Sequence, residues 1–213
     1  MRKLPDIRMK NFDKIAFALA LILVGVVGRV LLYKYSNFET VLVVSLLAGT
    51  LLGKIYALIV PIATMAISDA AIYLLGFGHT FGLGAIIGIT IFTWTGYLFV
   101  SLIGTRLKGR VICVTKSIAL VTGVGLIATV IFDVWTTIGF WFFTLPHTFG
   151  GLSFAFVQLA PFAVFHLMSS LMFIPLVGTI FIYVHEHGIP TLNISPIARK
   201  SDDDRDSTEA CQA

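Results

Sequence analysis

Charge is what this chain has least of. Asp, Glu, Lys and Arg together make up 12% of its 213 residues, whereas 57% are hydrophobic, and the mean hydropathy is +0.95. No soluble domain of this size is so poor in charge, so a water-surrounded globule is excluded and a bilayer is implied. There are only two cysteines, Cys113 and Cys211, and neither has neighbours at metal-ligand spacing, so neither a disulfide nor a zinc site is expected. No strand-like alternation and no fixed-period repeat occurs. The phosphate-cradling G-x-x-x-x-G-K-[ST] loop is also missing, so the chain does not hydrolyse ATP by that route. Paired signatures such as H-E-x-x-H or D-x-x-x-H on a helix are lacking too. Asp69, Asp133 and His166 are therefore a weak basis for an intramembrane enzyme, and the chain is not read as one.

What is present is a series of six long apolar runs, at residues 15–33, 40–53, 55–75, 82–105, 117–136 and 155–184. They predict an all-α, polytopic membrane protein, a bundle of six transmembrane helices over residues 15–184. A basic segment, 1–14, precedes the bundle, and an acidic, polar tail within 185–213 is expected to be disordered. The first run lacks a small-residue cleavage site and is read as a retained helix rather than a signal peptide. The second run is short for a span and only Gly53–Lys54 separates it from the third, which predicts a tight hairpin. Pro161 and Pro175 predict a kink in the last run or a loop-buried beginning to it rather than one straight rod.

Basic residues set the orientation. With the N-terminus inside, thirteen of the fifteen Lys and Arg fall on the cytoplasmic side and only Arg29 and Lys34 outside, as the positive-inside rule requires. Both termini are then cytoplasmic. The net charge of +4 is a consequence of topology and calls for no nucleic-acid partner.

In that orientation Arg29, Glu39, Asp69 and Asp133 all lie toward the outer face. A carboxylate in the hydrocarbon region costs roughly 2.5–3.5 kcal/mol on insertion scales, so it turns inward and finds a partner. One reading is a structural pair between Arg29 and one acid. The other is a ligand cavity open to the outside, which the surplus of acids favours, together with Tyr33, Asn37, Tyr73 and His166 at comparable depth. The segments 76–82 and 136–154, rich in glycine and aromatics, are expected to be outer loops able to fold over such a cavity, although Trp135 and Trp141 would equally suit an interfacial aromatic belt. His79 and His147 lack a third ligand and are not read as a metal site. Small residues occupy one stripe of the first run, Ala16 and Ala20, and another of the second, Ser45, Gly49 and Gly53, where helices can approach closely.

With its six helices, the A-x-x-x-A of the first, "NFETVLVVSLLAG" (37–49), "VPIATMAISD" (60–69) and "FDVWTTIGFW…GLSFAFVQLAPFAVFHL", the chain resembles the S components of energy-coupling factor (ECF) transporters and uncharacterised S-component-like proteins. The resemblance covers nearly all of residues 15–184. It implies a membrane subunit that captures a vitamin or similar micronutrient from outside. The subunit would dock through Ala16 and Ala20 on a transmembrane coupling subunit driven by cytoplasmic ATPases, and its cavity would draw on Arg29, Asn37, Glu39, Asp69 and Asp133. It implies no cofactor. The chain departs from the similar proteins at Glu39–Thr40, where they often carry a proline soon after Asn-Phe. A self-sufficient small transporter and a structural membrane protein are the alternatives.

Overall fold

A computed structural model describes residues 11–35, 40–75, 83–111 and 114–187, and every element among them is helical. In chain order these are α1 (Asn11–Leu31), α2 (Val41–Leu47) continued directly by a π-helical stretch (Ala48–Leu52), α3 (Lys54–Leu74), α4 (Leu83–Thr105), α5 (Val114–Thr144) and α6 (Phe149–His187). All but α2 are long and apolar enough to cross a membrane. Their outward faces carry side chains such as Leu19, Leu23, Ile127, Val157 and Leu176, all more than half exposed. A surface this apolar is stable only against lipid, and helices satisfy their own backbone groups there. The protein is therefore a multi-pass, all-helical membrane protein.

The second apolar run departs from the six-span expectation. α2 and its π-helical continuation together span roughly 18 Å at 1.5 Å per residue, against a hydrocarbon core of about 30 Å. Every residue from Val41 to Leu52 is buried, and this short rod touches α1, α3, α4, α5 and α6. It is the core of the bundle rather than one more member of its wall. Uncharged from end to end, it can be enclosed on all sides, and small residues let its neighbours close in. A Cβ on Gly49 would lie 2.0 Å from the Ser101 carbonyl oxygen, and one on Gly104 of α4 would lie 2.3 Å from the Leu46 carbonyl oxygen. Thr50, wedged at this crossing, donates its hydroxyl to the Leu46 carbonyl at 2.8 Å.

The expected hairpin between the second and third runs is present, made by one residue. Gly53 adopts φ +101°, a left-handed conformation that glycine alone adopts without strain. Its N–H closes the last π-turn on Ala48 O at 3.2 Å. Lys108 Nζ donates to Leu52 O at 3.1 Å, placing a cation where the rod's final carbonyls point.

Two further boundaries move. α5 and α6 are longer than the apolar runs that announced them, and the expected outer loop at 136–154 is mostly their last and first turns, with only 145–148 between. Aromatic residues continue a helix as readily as they line a loop, and Gly139 is no breaker: its missing side chain admits the Phe92 ring, which a Cβ would meet at 2.3 Å. The turn is fixed locally. Thr148 Oγ1 accepts the Gly151 N–H at 3.1 Å as an N-cap would, and Trp141 Nε1 donates to Pro146 O at 3.0 Å. α6 runs through Pro161 and Pro175 as one helix.

Asn37, Glu39, His79, Cys113, Cys211, the basic start of the chain and its acidic tail lie outside the described residues.

Candidate functional site

Close packing of α1 on α2 and α3 builds the first polar cluster. A Cβ on Gly25 would sit 2.6 Å from Thr64 Cγ2, and one on Gly28 would sit 2.2 Å from Thr40 Oγ1. The two glycines thus let α1 lie directly on its neighbours. Thr40 then turns its hydroxyl back to the carbonyls of Val24 at 3.2 Å and Gly25 at 3.3 Å. This approach carries Arg29, in the last turn of α1, over the side chains of α3. Its Nη1 lies 2.7 Å from Asp69 Oδ1, donates to Ser68 Oγ at 2.9 Å and reaches Met65 Sδ at 3.0 Å. Asp69 uses its other oxygen as well, accepting Trp94 Nε1–H from α4 at 2.9 Å. The Arg29 and Asp69 side chains retain 18% and 23% of their exposure, so the pair sits at the border of the bundle, reachable from one side. Tyr33 and Tyr73 stand beyond it, toward the same ends of α1 and α3.

The second cluster belongs to α5 and α6, which pack antiparallel. Thr129 Oγ1 donates to Ser170 Oγ at 2.9 Å, and one turn further along, His166 Nδ1 lies 2.6 Å from Asp133 Oδ1. The histidine is 1% exposed and the aspartate 13%. Phe132 is packed edge-on against the His166 ring at 5.2 Å, and the Tyr97 ring of α4 covers Phe132 at 4.5 Å. Among the described residues, His166 Nε2, Asp133 Oδ2 and the Tyr97 hydroxyl, all buried, have no hydrogen-bond partner. Such orphans are rare in a native interior, because each forfeits its hydration without a replacement bond.

Among the described residues, Asp69 lies against Arg29 and Asp133 against His166, so these two acids do not share one partner. The sequence reading missed Ser68 and Trp94 altogether. Trp94 alone had a visible signal, an indole N–H inside an otherwise apolar run, which must find an acceptor when buried. Trp135 is held between α4 and α5: its Nε1 lies 3.0 Å from both Phe92 O and Thr95 Oγ1, and its ring stacks on Phe92 at 4.7 Å. His147 lies 2.8 Å from Phe142 O at the α5–α6 turn. No group of three His, Cys, Asp or Glu able to hold a metal occurs among the described residues. A groove of about 450 Å³ runs along α5 and α6, floored by side chains such as Ile127, Val130, Val164 and Met168. It is open and wholly apolar, and contributes no polar group to either cluster.

On the opposite flank of α1, Ala20 is exposed with Leu19, Leu23 and Val27, and Ala16 is partly so. Of these, Ala20, Leu19, Leu23 and Val27 face outward.

A sequence model described as a family of unknown function, DUF6580, matches residues 9–192. No curated protein and no solved structure matches the chain.

Proposed function

The chain belongs to the DUF6580 family, and we propose that it is a solute-binding membrane subunit of an ECF-type importer. It lies in the cell membrane with both termini cytoplasmic, takes a vitamin or similar micronutrient from outside, and hands it on through a coupling subunit driven by ATPases. In this reading the chain crosses the bilayer six times, the short α2 and its π-helical continuation making the second passage. The observation that carries the proposal is the Arg29–Asp69 pair with Ser68 and Trp94. A guanidinium and a carboxylate are held together in an apolar bundle, each about one-fifth exposed, so a polar solute meets a donor and an acceptor at one place. Charged groups at that depth cost too much to persist without either a structural or a ligand-binding role. Asp133 and His166, in their own cluster between α5 and α6, are further polar contacts for a solute that enters between the helices, and Asn37 and Glu39 belong to the same segment of chain that leads into α2.

The bare flank of α1 supports the partner. Ala16 and Ala20 leave a shallow place on an exposed face, where a second protein's helix can come close. Replacing both with Leu fills that place without touching the chain's own packing. The experiment is purification from native membranes in a mild detergent, with mass spectrometry of what is retained. Wild type is expected to bring down a coupling subunit, ATPases and a small polar molecule, whereas the A16L/A20L chain keeps the small molecule and its melting temperature but loses the protein partners. A chain that retains neither molecule nor proteins sinks the importer reading. Loss of thermal stability in the double variant would assign the alanines to internal packing instead.

A further inference from the structure

The Asp133–His166 pair does more than pin α5 to α6. We propose that it is a proton-binding site within the membrane, loading one proton on His166 Nε2; the proposal holds for an ATP-driven importer and for a self-driven carrier alike.

The argument starts from the short bridge. An ionised carboxylate can only accept hydrogen bonds, so the 2.6 Å contact between Asp133 Oδ1 and His166 Nδ1 puts the ring proton on Nδ1 and leaves Nε2 a bare acceptor. The pair then carries a net charge of minus one among apolar walls. Both of its outer atoms, Nε2 and Asp133 Oδ2, are buried acceptors with no donor among the described residues. Adding one proton takes the pair to net neutrality. The bridging proton can then sit on either side of the contact, as imidazolium with carboxylate or as neutral imidazole with carboxylic acid. In both forms the added proton is on Nε2. Charge and atoms balance with no other reactant.

Among the described residues, none of the helices packed against the pair places another charged group beside it. α2 and its continuation, Val41–Leu52, contain no ionisable residue, and α4 contributes only the Tyr97 hydroxyl, itself buried without a partner. On α5 the other charged residue is Lys116, more than four turns away, and on α6 the next titratable groups are Tyr183 and His185, also more than four turns away. Arg29, in the last turn of α1, is engaged with Asp69. Among the described residues no cation lies against the pair, and a proton is what would neutralise it. Below the pair, one turn past the Thr129–Ser170 contact, the seam closes. A Cβ on Gly125 would meet Ile174 Cδ1 at 2.4 Å and Leu46 Cδ2 at 3.0 Å. The pair is almost enclosed, and on the Gly125 side it is bounded by apolar side chains.

The test uses the full-length protein in lipid nanodiscs with ¹⁵N-labelled histidine. His166 is isolated by changing the other four histidines, His79, His147, His185 and His187, to Gln, which leaves the buried pair intact. The Nε2 resonance is followed from about pH 4 to 9, a range spanning the ordinary imidazole transition. The expected result is one reversible step in which Nε2 changes from a bare to a protonated nitrogen while the melting temperature shows the protein folded throughout. D133N in the same background is expected to remove or displace that step. A resonance that keeps one form across the whole range overturns the proposal and leaves a structural pin, as does a step identical with and without the Asp133 charge. Should D133N fail to fold, D133E, which keeps the charge but displaces it, gives the second comparison and is expected to retain a displaced step.

Discussion

Arg29 is a cation at the edge of an apolar bundle, and its energetics are those of a partly buried ion pair: breaking one side costs more than removing both. Asp69→Asn removes the carboxylate that lies 2.7 Å from the guanidinium, while Ser68 Oγ and Met65 Sδ remain within 3.0 Å. The expected loss is roughly 1–3 kcal/mol, below the figure for a fully buried pair because both side chains keep some solvent contact. Adding Arg29→Gln to the same chain is expected to restore most of it, read as melting temperature in detergent. A single variant as stable as wild type would mean that the pair contributes nothing to the fold and that Asp69 is kept for a ligand alone. Trp94→Phe separates the two roles further. It deletes one neutral donor to Asp69 Oδ2 and keeps the ring's apolar bulk, so its expected cost is only about 1 kcal/mol.

At the scale of the helices, the crossing of α2 on α4 decides stability more than any charge does. Backbone meets backbone there, and backbone cannot rotate out of the way as a side chain can. Gly49→Ala and Gly104→Ala each force a Cβ into a carbonyl oxygen, at 2.0 and 2.3 Å, and are expected to destabilise the protein by about 1–3 kcal/mol or more through overpacking. Gly123→Ala in α5 is the matched control. A Cβ there meets nothing within 4 Å, and the change is expected to be neutral or to stabilise by up to about 1 kcal/mol, because alanine loses less backbone freedom in a helix. Equal melting temperatures for Gly49→Ala and Gly123→Ala would show that α2 can shift away from α4 at no cost. The same contacts explain the hairpin that follows α2: its rod is held so tightly that the chain must reverse within Gly53, and φ +101° bars any residue with a side chain from doing so without strain.

For the molecule as a whole, the orientation proposed from basic residues has a direct check. In a chain with Cys113 and Cys211 changed to Ser, single cysteines at Arg110 and Ser207 are expected to be shielded from a membrane-impermeant thiol reagent in intact cells, whereas one at His147 in the α5–α6 turn is expected to react. Labelling of Ser207→Cys from outside would reverse the orientation and move the Arg29–Asp69 pair to the cytoplasmic half. Membrane residence, the all-helical class and the positions of α1, α3 and α4 were legible in the sequence, because a span needs about twenty apolar residues without charge and such runs are visible one residue at a time. The short second run was legible as an oddity, and its tight turn followed from its spacing to the third. What the second run does was not legible. A run of 12 to 14 apolar residues reads the same whether it lines the bilayer or is enclosed by other helices, and only the small-residue contacts at Gly49 and Gly104 made it the buried core. The ends of α5 and α6 were hidden because aromatic and glycine-rich sequence suits a packed helix end as well as a loop. Pairing was hidden for a further reason. Depth along the bilayer is one-dimensional and can be counted from the sequence, which is what singled out Arg29, Asp69, Asp133 and His166. Which acid faces which partner depends on the rotation of each helix about its axis and on its neighbours. Those were decided in the tertiary structure, by close packing at Gly25 and Gly28 that brings Arg29 onto Asp69, and by the antiparallel register of α5 and α6 that sets Asp133 against His166.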